Sequence, residues 1–383
     1  MRQSQHPIRL TKCVRSGAFW LILLSSLVLW PLPSTFAATV IVASRMQTAS
    51  GTSNEQAFAN TGNRLRWRYQ TGAFVNSSPT VVSGVVYIGS GDHYVYALNA
   101  STGKRLWRYQ TGNIVDATPE VVNGVVYIGS GDDYLYALNA SSGTLLWRYQ
   151  TGGTLFWSSP EVSKGIVYVG SYDDSVYAFN ATTGSLLWRY QTGGAIISSP
   201  EVVKGVLYVG SIDHYVYALK ASDGSLIWRY QTGASIGNSS PAIVNGVVYI
   251  GSEDFYVYAL KASDGSLIWR YQTALYVEST PVVVNGVVYV GSTDSSVYAF
   301  NASTGKKVWR YQTQDSVESS PAVVKGILYI GSEDHYVYAL NASTGTRLWR
   351  YQTGNKVAFS SPAVVNGVVY IGSWDHDVYA LKA

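Results

Sequence analysis

The sequence predicts an all-β fold: an eight-bladed β-propeller of four-stranded antiparallel blades, its ring closed by the N-terminal strand joining the C-terminal blade. Three observations lead there. The pentapeptide Trp-Arg-Tyr-Gln-Thr or its close equivalent begins at Trp67, Trp107, Trp147, Trp188, Trp228, Trp269, Trp309 and Trp349, always 40 or 41 residues apart. A fixed period in that range marks a repeat architecture. Each period holds four short strand-like runs separated by turn residues, and the two ends of the repeat region carry complementary parts of one more blade.

In chain order, residues 1–16 are basic, an apolar run extends from Gly17 to Trp30, Pro31 and Pro33 end it, and Thr35-Phe36-Ala37 offers small residues. This is the order of a secretory signal peptide, expected over 1–37. An uncleaved membrane anchor is the alternative, because Val40-Ile41-Val42 prolongs the apolar stretch over residues 17–43. Either reading exports the remainder, to a secreted, periplasmic or outer-surface location. Cys13 is the only cysteine and precedes the apolar core, so disulfides, thiolate catalysis and cysteine–metal sites are excluded from the repeat region. Residues 38–63, mostly Ser, Thr, Asn, Gly and Gln, read as a flexible linker, and the propeller spans 64–383.

In the first repeat, strand A is read over 78–82, B over 85–90, C over 94–100 and D over 104–110. Gly103 supplies the positive φ that a tight C–D hairpin needs. Strand B is apolar without alternation, so both of its faces should be covered, as in a blade held between two others. A lone D strand at 64–70 and a lone C strand at 378–382 should complete one blade and leave no open edge at the seam.

Hydrophobic residues make up 47% of the chain and charged residues 13%, enough apolar material for a large core. The formal charge of +4 arises from Arg2, Arg9, Lys12 and Arg15, which leaves a neutral body. A neutral body gives no electrostatic reason to bind nucleic acid or an anionic membrane.

The run Ala97-Leu98-Asn99-Ala100-Ser101-Thr102-Gly103-Lys104-Arg105-Leu106-Trp107 resembles the tryptophan-docking motif of pyrroloquinoline-quinone (PQQ) repeat propellers. It recurs at 137–147, 178–188, 218–228, 259–269, 299–309 and 339–349, with an eighth copy split between Ala380 and Trp67. The resemblance implies that each tryptophan packs on the alanine and glycine of a neighbouring copy and joins adjacent blades. The third motif position is Asn or Lys here, where that family usually has Asp, so a hydrogen bond from that carboxylate is lost or altered.

Several repeated polar residues have structural explanations. Asp92, Asp132, Asp173, Asp213, Asp254, Asp294, Asp334 and Asp375 sit in a Gly-Ser-x-Asp turn, where aspartate bonds its own backbone. His93, His214, His335 and His376 follow in four of the turns, too far apart around a ring for a zinc site. The Trp-Arg arginines should lay their stems on the blade edges. Asn99, Asn139, Asn180, Asn301 and Asn341 match a glycosylation sequon but belong to the C–D hairpin consensus.

The repeats disagree just before strand A, at Asn76, Asp116, Trp157, Ile197, Asn238, Glu278, Glu318 and Phe359. These should ring the mouth of the central channel. Asn76, Asp116, Trp157, Asn238, Glu278, Glu318 and Phe359 are the candidate ligand-binding residues, and their oxygens suit a hard cation such as calcium. Glu120, Glu161 and Glu201 add acid at the starts of three strands A.

The resemblance implies a non-catalytic extracytoplasmic scaffold for protein–protein or ligand binding, with a protein partner on the loop faces, no catalytic residue, no resident metal or cofactor, and a monomeric chain. The analogue is the propeller lipoprotein of the outer-membrane β-barrel assembly machinery (BamB-like), although no cysteine follows the apolar core here. The alternative is a quinoprotein dehydrogenase with PQQ and calcium at the channel mouth, or a small-molecule or cation-binding propeller. Adjacent cysteines and long blade insertions, which mark the dehydrogenases, are missing from this sequence.

Overall fold

The computed structural model describes residues 64–383. The signal peptide or anchor read over 1–37, Cys13 and the linker read over 38–63 lie outside the described residues. Among the described residues, thirty-two strands form eight four-stranded antiparallel sheets. In blade 1, strand A is Thr80–Val82, B is Val85–Gly89, C is Tyr94–Asn99 and D is Arg105–Gln110. Six more blades repeat this order. The eighth combines Ala363–Val365, Val368–Gly372 and Asp377–Lys382 with the N-terminal strand Leu65–Gln70, which pairs antiparallel to Asp377–Lys382. Strands A neighbour one another around the axis, including Thr80–Val82 beside Ala363–Val365, so the ring is closed.

Each hydrophobic core lies between two blades. Tyr208, Val216, Ala218 and Trp228 of blade 4 pack with Ile236, Val248, Ile250, Tyr258 and Leu260 of blade 5. Strands B and C are therefore buried on both faces, which explains their unbroken Val, Ile, Tyr and Leu.

A β-bulge sets the docking tryptophan. In blade 1, Leu98 faces Arg105 and Ala97 faces Trp107, so Leu106 is the extra residue and points outward. Trp107 then reaches the next blade, where its Nε1 donates to the Ala140 carbonyl at 2.9 Å. Tyr87 Oη donates to the same carbonyl at 3.1 Å. A Cβ on Gly143 would lie 2.7 Å from the Trp107 ring, and Gly143 has φ +73°, so only glycine fits there. The tryptophan–glycine contact recurs from Trp67 on Gly103 to Trp309 on Gly345. At the split blade the partner differs: the Arg64 guanidinium covers the Trp349 ring at 4.5 Å.

The altered third motif position is resolved in two ways. Asn99 Oδ1 accepts the Ser101 and Thr102 amides at 3.1 and 3.0 Å. Where lysine stands instead, at Lys220 and Lys261, the acceptor moves along the hairpin: Asp223 and Asp264 accept the Ser225 and Ser266 amides, each at 2.9 Å.

Candidate functional site

The site is built where the chain passes from an outer strand D to the next inner strand A. Aspartate in the Gly-Ser-x-Asp turn fixes this passage. Asp92 Oδ1 accepts the Tyr94 amide at 3.2 Å, and Oδ2 accepts Tyr96 Oη and the Gly72 amide, both at 2.6 Å. The carboxylate thus ties its own turn to the incoming connection. His93, His214, His335 and His376 follow with φ between 71° and 75°, one per turn and within no metal-ligating group. The Trp-Arg arginines of the outer strands stack on tyrosines of the adjacent strand C, as Arg108 does over Tyr94 at 4.3 Å. Arg68 at the seam instead pairs with buried Asp377 at 3.4 Å.

Two hydroxyl layers then join the blades, the first buried and the second lining the axial cavity. Ser77 Oγ donates to the Ala117 carbonyl of the next blade at 2.8 Å and accepts the Gly89 amide at 3.0 Å. One residue on, a belt runs around the ring. The Thr118 amide donates to Ser159 Oγ, Ser159 to Ser199, Ser199 to Ser240, Ser240 to Thr280, Thr280 to Ser320, Ser320 to Ser361 and Ser361 to Ser78. These amides are spent between blades and not within a ladder. Strand A consequently begins two residues after the belt amide, at Glu120 after Thr118 and at Glu161 after Ser159; in blade 1 it begins at Thr80, two residues later than the sequence reading, with Pro79 just before it.

Above the belt stands the variable ring. Asn76, Asp116, Trp157, Asn238, Glu278, Glu318 and Phe359 line one cavity of about 250 Å³ together with the belt hydroxyls. Trp157 of blade 3 and Phe359 of blade 8 meet with centroids 4.6 Å apart. They flank the sector of blades 1 and 2, where Asn76 and Asp116 are only 5% and 6% exposed. Asn76 Nδ2 donates to Asp116 Oδ2 at 3.3 Å, while Asp116 Oδ1 is buried without a partner. Asn238 Nδ2 donates to Glu278 Oε2 at 3.2 Å, and Asn238 Oδ1 and Glu318 Oε2 are also buried and unpartnered.

The sequence reading missed Trp374, Lys356 and Glu333. Trp374 Nε1 donates to Asn76 Oδ1 at 2.6 Å and stacks on Phe74. Lys356 lies over the Trp374 ring at 4.0 Å and pairs with Glu333 at 2.6 Å. The signal was present: Trp374 and Glu333 occupy the x of Gly-Ser-x-Asp, which varies among blades as the ring does. Glu120, Glu161 and Glu201 are half-buried and lie outside the mouth lining. Burial, then Glu201 and Glu120, push the Glu161 carboxyl up to about 7.

Burial dominates the electrostatics of the ring. It raises Asp116 to about 6 against the opposing hydrogen bond from Asn76. It raises Glu318 to about 8, helped by Glu333, Glu278 and Asp315 and opposed by Lys356. An acid whose folded pKa is raised binds extra protons in the folded state, so stability falls as pH rises from the ordinary carboxylate range through about 8. Glu318→Gln is expected to raise the melting temperature at pH 8 and leave it unchanged at pH 4, as differential scanning calorimetry at both pH values will show. Equal melting of the two proteins at pH 8 would contradict the desolvation of Glu318.

The architecture defines an eight-bladed propeller of tryptophan-docked repeats with an acidic axial mouth. The chain belongs to the family described as outer membrane protein assembly factor BamB, whose model matches residues 54–160, 112–196, 154–276 and 276–383. Among solved structures, BamB from Moraxella catarrhalis is similar at 19% identity and TM-score 0.72, over 83% of this chain and 99% of that one. The computationally designed Ika8 protein is similar at 17% identity and TM-score 0.74, over 82% and 98%. Quinohemoprotein alcohol dehydrogenase from Comamonas testosteroni is similar at 17% identity and TM-score 0.69, over 83% and 76%. At these identities the structures share the fold. No curated protein matches the sequence significantly.

Proposed function

We propose that this chain is an exported, non-catalytic scaffold that binds a partner protein, in the manner that the name of the BamB family suggests. One observation carries the reading. On blades 2 to 5 the outer strand D presents two consecutive exposed apolar residues: Leu145-Leu146, Leu186-Leu187, Leu226-Ile227 and Leu267-Ile268. The other four blades place a base in that pair: Arg105, Lys307, Arg347 and Arg66. Half of the circumference is therefore an apolar arc of open strand edges. Such edges accept an extended segment by backbone pairing, with apolar side chains adding affinity.

The dehydrogenase alternative has the fold likeness in its favour, but the chemistry of the mouth opposes it. PQQ is a tricarboxylate, and the lining offers Asp116, Glu278 and Glu318 with no Lys or Arg. Lys356, which approaches Glu318, is already paired with Glu333. Among the described residues, no group of three His, Asp or Glu stands close enough to hold a metal ion. The residues present do not fit the quinone–calcium pair.

The scaffold reading is tested by placing a photo-reactive phenylalanine analogue at Leu187, Ile227, Lys307 or Arg347 in the native host. Adducts to one protein from positions 187 and 227, and none from 307 and 347, are expected. Leu187→Lys combined with Leu267→Lys should abolish the adduct from position 227. Equal labelling at all four positions, or adducts only at the mass of a chain dimer, would refute it.

A further inference from the structure

We propose that the axial mouth binds a linear aliphatic diamine or polyamine, its ammonium groups divided between Asp116 and the Glu278–Glu318 arc across the channel. The inference is independent of the partner-protein reading, because it concerns the axis and not the rim.

The unsatisfied groups point to a donor. Asp116 Oδ1, Asn238 Oδ1 and Glu318 Oε2 all belong to side chains lining the one cavity, all are buried, and none has a hydrogen-bond partner. Unpaired buried polar atoms are costly, so a ligand that supplies N–H groups to them is favoured. Asp116 is the most enclosed of the three at 6% exposure. Asn238 Oδ1 only accepts, the two carboxyls accept through both oxygens once a cation draws off their protons, and the lining holds no base, so the complementary ligand is cationic.

Spacing around the ring decides the shape. In eight blades, Asp116 of blade 2 stands opposite Glu278 of blade 6, with Glu318 next to it on blade 7. The acids do not converge on one point, so a single metal ion cannot satisfy them together. An ammonium carries three N–H donors, and a chain with an ammonium group at each end offers one to each arc. Trp157 and Phe359, in contact beside the Asp116 sector, offer ring faces for the methylenes and for the cation. A monoamine has the same head group but satisfies one arc only.

The test is isothermal titration calorimetry of the purified full-length chain at low ionic strength with 1,4-diaminobutane, spermidine, n-butylamine and calcium chloride. Spermidine or the diamine should bind at least about tenfold more tightly than n-butylamine. Asp116→Asn and Glu318→Gln should each weaken that binding about tenfold. Glu201→Gln, outside the mouth, should leave it unchanged. Circular dichroism and melting confirm that each variant is folded. If Asp116→Asn fails to fold, Glu278→Gln takes its place with the same expected loss. No binding of either polyamine up to about 1 mM overturns the proposal. So does equal affinity for n-butylamine, binding by calcium alone, or binding indifferent to the mouth substitutions.

Discussion

Deleting residues 64–70 opens the ring, and the expected result is loss of the single cooperative melt of the propeller. The deletion removes the whole of strand Leu65–Gln70 and with it five paired positions on Asp377–Lys382. It also removes Trp67, which donates to the Ala100 carbonyl at 2.9 Å and packs on Gly103. Trp67 belongs to the core that joins blade 8 to blade 1, with Val75, Val86, Ile88, Val368 and Tyr370. Loss of a buried tryptophan alone costs about 3–5 kcal/mol, and the strand's ladder adds to this at about 1 kcal/mol per hydrogen bond. The bared edge of Asp377–Lys382 then invites association between chains. Scanning calorimetry of the deletion and the full chain, with light scattering, checks this. Unchanged melting temperature and cooperativity would show that the seam contributes little.

The second large effect is at a blade joint inside the ring. Trp228→Ala is expected to destabilise by about 3–5 kcal/mol. The ring is 8% exposed, lies in the core between blades 4 and 5, and donates to the Ala262 carbonyl at 2.9 Å. Gly265→Ala attacks the same joint from the other side. Its φ is +73° and a Cβ would lie 2.6 Å from the Trp228 ring. The left-handed backbone alone costs an alanine about 1–2 kcal/mol, and the clash adds to it. Removing the indole removes the clash, so the double variant should be less destabilised than the sum, by at least about 1 kcal/mol. Urea titrations of the two single variants and the double variant measure this. Strict additivity would mean that the ring and the hairpin glycine do not bear on one another.

The fold was legible because repetition removes ambiguity. Eight copies of Trp-Arg-Tyr-Gln set the period, and the lone strands at 64–70 and 378–382 revealed the split blade. The mouth was legible as position, since the copies differ at residues 76, 116, 157, 197, 238, 278, 318 and 359, and seven of these line the cavity. Its contacts were not. Trp157 and Phe359 are brought together only by ring closure and side-chain direction. Trp374 reaches Asn76 across the seam of the ring. The second role of the turn aspartates was hidden for a related reason. Asp92 Oδ2 bonds Gly72, twenty residues earlier, through a connection whose path depends on the preceding blade. Likewise, the belt amides that shorten strand A are paired with the next blade, which no local propensity describes.

The scaffold account is tested most directly by equilibrium dialysis of the chain against PQQ, with and without calcium. The acidic, base-free mouth predicts no retention above a control protein at concentrations up to about 1 mM, a free energy near −4 kcal/mol. Calcium-dependent retention, abolished in the combined Asp116→Ala, Glu278→Ala, Glu318→Ala variant, would contradict the account and make the channel a quinone site.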